Sequence, residues 1–285
     1  MSEDGPFDRR LRRLRRDRAA AAGGDGDYLH RRAADEIVDR LDLVSRRFGR
    51  ALDLGCGRGY LGERLRARGI EVVSADPAYL FAAAAKGVQA DEDRLPFADG
   101  AFDLIVSVGV LDTVNDLPGA LILSRRALRP DGLFLAAFAG AGSLPRLRAA
   151  MLAADAASGA AAARIHPQID VRAAGDLLLR AGFALPVVDS DGVDVRFASL
   201  FALVADLRAM GATNALAARS RTPLRREALA AALEEWQRHA APDGKVTERF
   251  EILHLLGWAP SPDQPRPAPR GSATASLAAA LKRGQ

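Results

Sequence analysis

The sequence predicts an α/β protein built on a mostly parallel sheet with helices on both faces. Three observations predict it. Between Arg50 and Phe138, short apolar runs alternate with stretches of helical periodicity, the pattern of parallel strands joined by crossover helices. One of these runs, Ala51-Leu52-Asp53-Leu54, leads straight into the glycine-rich turn Gly55-Cys56-Gly57-Arg58-Gly59-Tyr60. Apolar residues make up 49% of 285, enough to fill the core of one large domain or of a domain with a small accessory region.

The elements follow in order. Phe7 to Arg18 is dense in arginine and reads as a helix with Phe7, Leu11 and Leu14 on one side. Gly23-Gly24-Asp25-Gly26 is a break. Tyr28 to Phe48 carries Leu29, Ala33, Ile37, Leu41 and Val44 at helical spacing, a lead-in helix. Strands are expected at 50–54, 71–75, 88–90 and 102–107, with helices at 59–68 and 79–86 between them. Asn115-Asp116-Leu117-Pro118 starts a helix, with a capping side chain and an early proline. It should run to about Leu128 and break at Pro130-Asp131-Gly132, before a strand from Leu133 to Phe138. Helices are then expected at 143–159, 170–181, 200–210 and 223–240. Leu185–Asp189 and Val193–Phe197 read as a hairpin turning through Ser190-Asp191-Gly192, and Phe250 to Trp258 as the last strand. The organisation is a basic arm (1–27), a main domain (28–259, with a ligand-binding core at 50–140 and a substrate or cap part at 141–259), and a proline-rich tail (260–285).

Composition narrows the classes. Forty Lys+Arg against 36 Asp+Glu leave a net charge of +4. The basic arm lacks the interleaved aromatics of a nucleic-acid platform, so no nucleic-acid partner is expected; it reads as a segment that covers the ligand cleft or touches a protein, an acidic carrier or a surface. No apolar run approaches the ~20 residues needed to span a bilayer. The single cysteine, Cys56, forms no internal disulfide and sits in the glycine turn as a small filler. His30, His166, His239 and His254 show no His-x-Asp/Glu pairing, so no metal is expected.

The glycine turn carries the chemistry. Glycines at alternate positions let the backbone turn sharply and approach a ligand with no Cβ in between, and the helix that follows offers its first amides to it. A dinucleotide turn has the spacing G-x-G-x-x-G; here it is G-x-G-x-G with Tyr60 next, and Asp53 ahead of the turn suits a cationic ligand. A second run, Ile70 to Ala75, ends on Asp76-Pro77, placed for ribose hydroxyls. Asp91-Glu92 precedes Leu95-Pro96-Phe97, and Phe102 to Ser107 is the fourth strand. In this order the segments resemble the class I S-adenosylmethionine-dependent methyltransferases, which implies a seven-stranded Rossmann-like fold. Phe7-Asp8-Arg9, Tyr28-Leu29, Val114-Asn115-Asp116-Leu117-Pro118, Ala209-Met210-Gly211-Ala212-Thr213-Asn214, Leu256-Gly257-Trp258 and Arg266 to Thr274 are similar to the complex I assembly factor 5 (arginine-hydroxylase) family, itself related to the malonyl-carrier-protein methyltransferase of biotin synthesis.

The resemblance implies S-adenosyl-L-methionine as cofactor. Asp53 would hold its methionine end, and Gly55, Cys56, Gly57, Gly59 and Tyr60 would form the turn around it. Asp76 with Pro77 would take the ribose, Asp91 with Glu92 the adenine, and Ser107, at the end of the fourth strand, would adjoin the cofactor and could face the acceptor. Asp112 is the candidate contact to the acceptor. The family carries Leu-His-Trp-Val-Asn-Asp after the fourth strand, and here Asp112-Thr113 stands for His-Trp. The implied activity is methyl transfer to a protein, including a respiratory complex I subunit, or to an acyl-carrier-bound small molecule. Arginine hydroxylation in complex I assembly and a non-catalytic, cofactor-binding assembly role are the alternatives. The implied location is the bacterial cytoplasm, or the mitochondrial matrix in a eukaryote.

Overall fold

The computed structural model describes residues 5–264. In chain order, α1 is Arg9–Ala22, α2 Tyr28–Asp42, β1 Arg50–Leu54, α3 Tyr60–Ala67, β2 Glu71–Asp76, α4 Tyr79–Ala84, β3 Val88–Gln89 and β4 Phe102–Val108. A 3₁₀ turn, Leu111–Thr113, leads to α5 Leu117–Ala127, β5 Leu128–Ala139, α6 Pro145–Ser158, α7 Val171–Arg180, β6 Ala184–Phe197, α8 Leu200–Ala209, α9 Arg226–Gln237 and β7 Val246–Trp258.

The strands form one seven-stranded sheet in the order β3-β2-β1-β4-β5-β7-β6. Strands β1 to β5 are parallel and β7 runs antiparallel between β5 and β6. The order reverses between β1 and β4, and a doubly wound sheet opens its ligand crevice at the carboxyl ends of the strands beside that switch. Central β1 is buried on both faces from Ala51 onward, as parallel strands covered by helices must be. Leu52, Leu54 and Ile105 pack on one face with α5 and α7; Ala51, Leu104 and Val106 pack on the other with α2 and α3. A third cluster joins α6, α8 and α9 around Leu147, Leu203, Leu207 and Trp236. Its keystone is Glu248 of β7, fully buried, whose carboxylate accepts from the Arg146, Leu147 and Arg249 amides. Leu144 at the start of α6 has no capping side chain of its own, so an acid from a neighbouring strand supplies the negative end that a helix N-terminus favours.

Several expected elements differ. No hairpin turns at Ser190-Asp191-Gly192; β6 runs straight through it, paired with β7 from Val187↔Leu256 to Phe197↔Val246. The long β7 offers an unbroken partner, and Asp189 and Asp191 are held by Arg40 and Arg32 of α2 instead of turning. Likewise, Arg129 to Gly132 does not separate helix from strand. It is a bulge inside β5, between the Phe102↔Leu128 and Leu104↔Leu133 pairs, with Asp131 at φ +62°. The lead-in helix stops at Asp42, not Phe48, the helix expected at 223–240 spans Arg226–Gln237, and the last strand begins at Val246. The arm helix extends to Ala22, and its buried residues are Arg12, Arg16 and Ala19, whereas Leu14 is exposed. Much of the proline-rich tail and the segment Arg266 to Thr274 lie outside the described residues. No helix among the described residues is long and apolar enough to cross a membrane.

Candidate functional site

The glycine turn sits at the carboxyl end of β1. The Gly55 and Cys56 amides both donate to the Ala75 carbonyl, at 2.7 and 3.0 Å, which ties the turn to the end of β2. Gly55 has φ +80°, and a Cβ there would lie 2.4 Å from a Val110 methyl. Gly55→Ala is therefore expected to cost about 2 kcal/mol of stability, from the left-handed backbone and overpacking together, read as a lower midpoint in urea unfolding. Gly57, at φ +52°, has only the Gly55 carbonyl oxygen near where its Cβ would be, at 3.9 Å, so the backbone there is free of side chains on that side. Gly59, at φ +83°, caps α3.

Beneath the turn lies Asp53, 2% exposed and facing α3, whose Arg66 and Gly62 amide favour its charged form; its Oδ2 has no partner in hydrogen-bonding geometry among the described residues. Burial, with the nearby charge of Asp76 second, lifts its carboxyl to about 7. An orphaned buried carboxylate oxygen is a vacancy for a donor, and an ammonium group fits it. Tyr60 lines the same cleft, its hydroxyl bonded to Asp35 at 2.8 Å and its ring faced by Arg31 and Arg64. Cys56 is buried, and burial raises its thiol well above the ordinary range, so it packs and does not act as a nucleophile.

The remaining acids do not face open space. They face α1. Asp76, wholly buried, accepts from Arg16 Nε at 3.1 Å and Nη2 at 2.6 Å, from the Gly57 amide at 3.0 Å and from the Ala78 amide at 2.8 Å. Glu92 takes both Nη atoms of Arg12 at 2.7 Å. Asp91 is paired with Arg13 at 2.5 Å, and Asp93 with Arg9 at 2.5 Å. Pro77 contributes its carbonyl to Gln89. With α1 seated, the cleft beside Asp53 encloses about 50 Å³. Asp53 and the turn thus fit the methionine end of the implied cofactor, and Asp76, Asp91 and Glu92 have the chemistry for its adenosine end with their acceptor positions in use.

Next to this cleft, and sharing His30, Val108, Ala209 and Met210 with it, lies a cavity of about 780 Å³. Leu29, Phe138, Leu147 and Ile252 make much of it apolar. Asp112 borders it, half-buried, with one carboxylate oxygen unpartnered and its carboxyl raised by desolvation. Thr113 beside it accepts from Arg12 Nε at 2.9 Å, so the pair that replaces His-Trp meets α1. Ser107 is buried with its hydroxyl unpartnered. Arg15, Arg18 and Arg208 also line the cavity and have no carboxylate partner among the described residues. Burial, with repulsion from Arg219 and Arg18 next, lowers the Arg15 pKa.

Two histidines had no role marked in the sequence. Half-buried His30 stands where the two spaces meet, lowered to about 4 by desolvation and then by Arg16, hence neutral at pH 7. His166 accepts from the Ala215 amide and meets Phe7 edge-on at 5.2 Å. The α1 arginines belong to the basic arm expected to cover the ligand cleft, and they meet its acids; their individual partners were not assigned, although their i, i+3/4, i+7 spacing was the available signal. Segments far apart in the chain converge here: Asn115 accepts from the Phe7 amide and donates to its carbonyl, and Phe7 bridges to Leu216. Among the described residues no group of three or more His, Cys, Asp or Glu could hold a metal.

Residues 27–186 match the family described as Methyltransferase domain. Arginine-hydroxylase NDUFAF5 of Danio rerio is 35% identical over 290 residues, covering 98% of this chain and 90% of the relative. The malonyl-[acyl-carrier protein] O-methyltransferase of Laribacter hongkongensis is 34% identical over 271 residues, covering 86% and 87%. The solved structure of the YcgJ protein from Bacillus subtilis superposes with a TM-score of 0.56 at 13% identity, covering 81% of this chain and 100% of that one, a likeness of fold alone. The chain belongs to the methyltransferase-domain family and is an S-adenosylmethionine-dependent methyltransferase-type enzyme, similar both to arginine-hydroxylase NDUFAF5 and to the malonyl-carrier methyltransferases.

Proposed function

We propose that the enzyme binds S-adenosylmethionine at the glycine turn and transfers its methyl group to an acidic acceptor carried on an acyl carrier or a protein. The observation that carries this reading is the unpartnered oxygen of buried Asp53 beneath the glycine turn, in a cleft that shares lining residues with a cavity of about 780 Å³. That volume lies within the roughly 300–1,000 Å³ of small-molecule sites. When bound, the cofactor supplies an electrophilic methyl group. Asp53 holds an ammonium, and the turn from Gly55 to Gly59 lets the ligand approach the backbone. Residues 50–140 carry the cofactor end, and 141–259 wall the acceptor end with α6 and α8. Apolar walls exclude water, and the gain comes from holding two reactants in line. Neutral His30 is placed to accept a hydrogen bond at the junction. Arg15, Arg18 and Arg208, without carboxylate partners among the described residues, outnumber Asp112 and Glu251 on the same cavity; the net positive wall favours a carboxylate acceptor over a guanidinium, which supports a carrier-bound acid over an arginine side chain. The enzyme would act in the bacterial cytoplasm or the mitochondrial matrix.

The test offers tritium-methyl cofactor and a carrier protein bearing a dicarboxylic acyl group to the full chain. Label on the acyl group is the expected result, and an Arg15→Gln/Arg208→Gln variant should transfer it at least tenfold more slowly. A gain of one oxygen on an arginine of a respiratory subunit would instead assign the hydroxylase role carried in the name of the NDUFAF5 relatives. Cofactor binding with neither product would assign the assembly role.

A further inference from the structure

We propose that α1 is an internal strap whose arginines occupy the carboxylates of the adenosine site, so that cofactor entry and α1 docking exclude one another. The inference rests on the cofactor reading above and adds a conformational step to it.

One stripe of the helix supplies Arg9, Arg12, Arg13 and Arg16, which meet Asp93, Glu92, Asp91 and Asp76 in that order. Asp76 accepts four hydrogen bonds, two of them from Arg16. A carboxylate offers about four lone-pair sites, so none is left for ribose hydroxyls while Arg16 stays. Glu92 is likewise engaged through both oxygens, and the remaining cleft of about 50 Å³ falls far below the roughly 300 Å³ at the low end of ligand sites. Arg16 also lies over the Phe81 ring, 5.3 Å from its centroid, filling the space above the end of β2.

The helix is held by charge more than by apolar area. Its buried residues are Arg12, Arg16 and Ala19, and Leu14 is 44% exposed. Arg58 of the glycine turn donates to the Ala19 and Gly23 carbonyls and so fastens the far end. Just beyond, Gly23 at φ +66° and Gly24 at φ +82° have no neighbour within 4 Å of a would-be Cβ, a backbone free to re-aim the helix. Ion pairs made by desolvated arginines exchange partners when a competing donor for the same carboxylates arrives, and the apparent affinity for that competitor is the intrinsic affinity multiplied by the fraction of molecules already open.

The experiment uses the full wild-type chain, with S-adenosylhomocysteine as probe. Amide hydrogen exchange is followed with and without saturating ligand, and calorimetry compares wild type with Arg12→Gln/Arg16→Gln. Faster exchange across residues 9–22, alongside slower exchange across 50–60, is the expected result in the unaltered protein. The double substitution should tighten binding at least about tenfold, roughly 1.4 kcal/mol. Binding accompanied by unchanged or slower exchange in α1 overturns the strap and makes the helix a wall of the bound site, while the cofactor reading stands. Absence of binding in both proteins overturns the cofactor reading, and the strap with it.

Discussion

Replacing Asp76 with alanine is expected to lower the free energy of unfolding by about 3–5 kcal/mol, the range for removing one partner of a buried ion pair. The side chain is wholly buried and serves three donors: Arg16 and the Gly57 and Ala78 amides. Its loss strands the Arg16 guanidinium against Phe81 and frees two amides at the turn that frames the cleft. Urea unfolding of the variant measures the cost. Adding Arg16→Met should recover part of it, because an apolar chain of similar length fills the space without a charge to satisfy. A loss under about 1 kcal/mol would mean that Arg16 reaches water when unpaired, so that α1 is not locked against the sheet.

Cofactor affinity is expected to fall about tenfold for each pH unit below 7 and to level off above it. Asp53 is raised to about 7 by burial and by the charge of Asp76, so the free protein holds it protonated in mild acid. An ammonium needs the carboxylate, so binding below that midpoint must expel a proton. The effect on folding has the opposite sense. The native state binds this proton more tightly than the unfolded chain, so this group's contribution to stability is full at acid pH and declines as the pH rises from about 4 to about 7. Titrating the ligand from pH 5.5 to 8 checks the slope. Asp53→Asn should abolish it, and a slope that persists there would assign the proton to another group.

Much of this site was legible from local chemistry. The turn from Gly55 to Gly59, Asp76 at a strand end and the parallel core follow from spacing and periodicity, whereas Asp91 was marked by the family resemblance; β1, β2 and β4 fall where the apolar runs put them. What was not legible depends on partners distant in sequence. Asp191-Gly192 has the composition of a turn, yet β7 and the α2 arginines hold it in a strand. Arg129 to Gly132 has the composition of a loop, yet β4 draws it into β5 as a bulge. The arm misled by hydropathy: Leu14 is exposed while Arg12 and Arg16 are buried, because the surface they meet is made of carboxylates. Helical periodicity finds a buried stripe only where that stripe is apolar, and here it is charged. The large cavity escaped for the same reason, since its walls come from α2, β4, β5, α6, α8 and β7 together.

Calorimetric titration of the folded full chain with S-adenosylmethionine at pH 7.5, wild type beside Asp53→Asn, tests cofactor binding at the turn most directly. Saturable binding by the wild type, weakened more than about tenfold (roughly 1.4 kcal/mol) by the substitution, is the expected result. Equal binding by both proteins, or no binding by a wild type shown to be folded, would contradict a cofactor site built on Asp53.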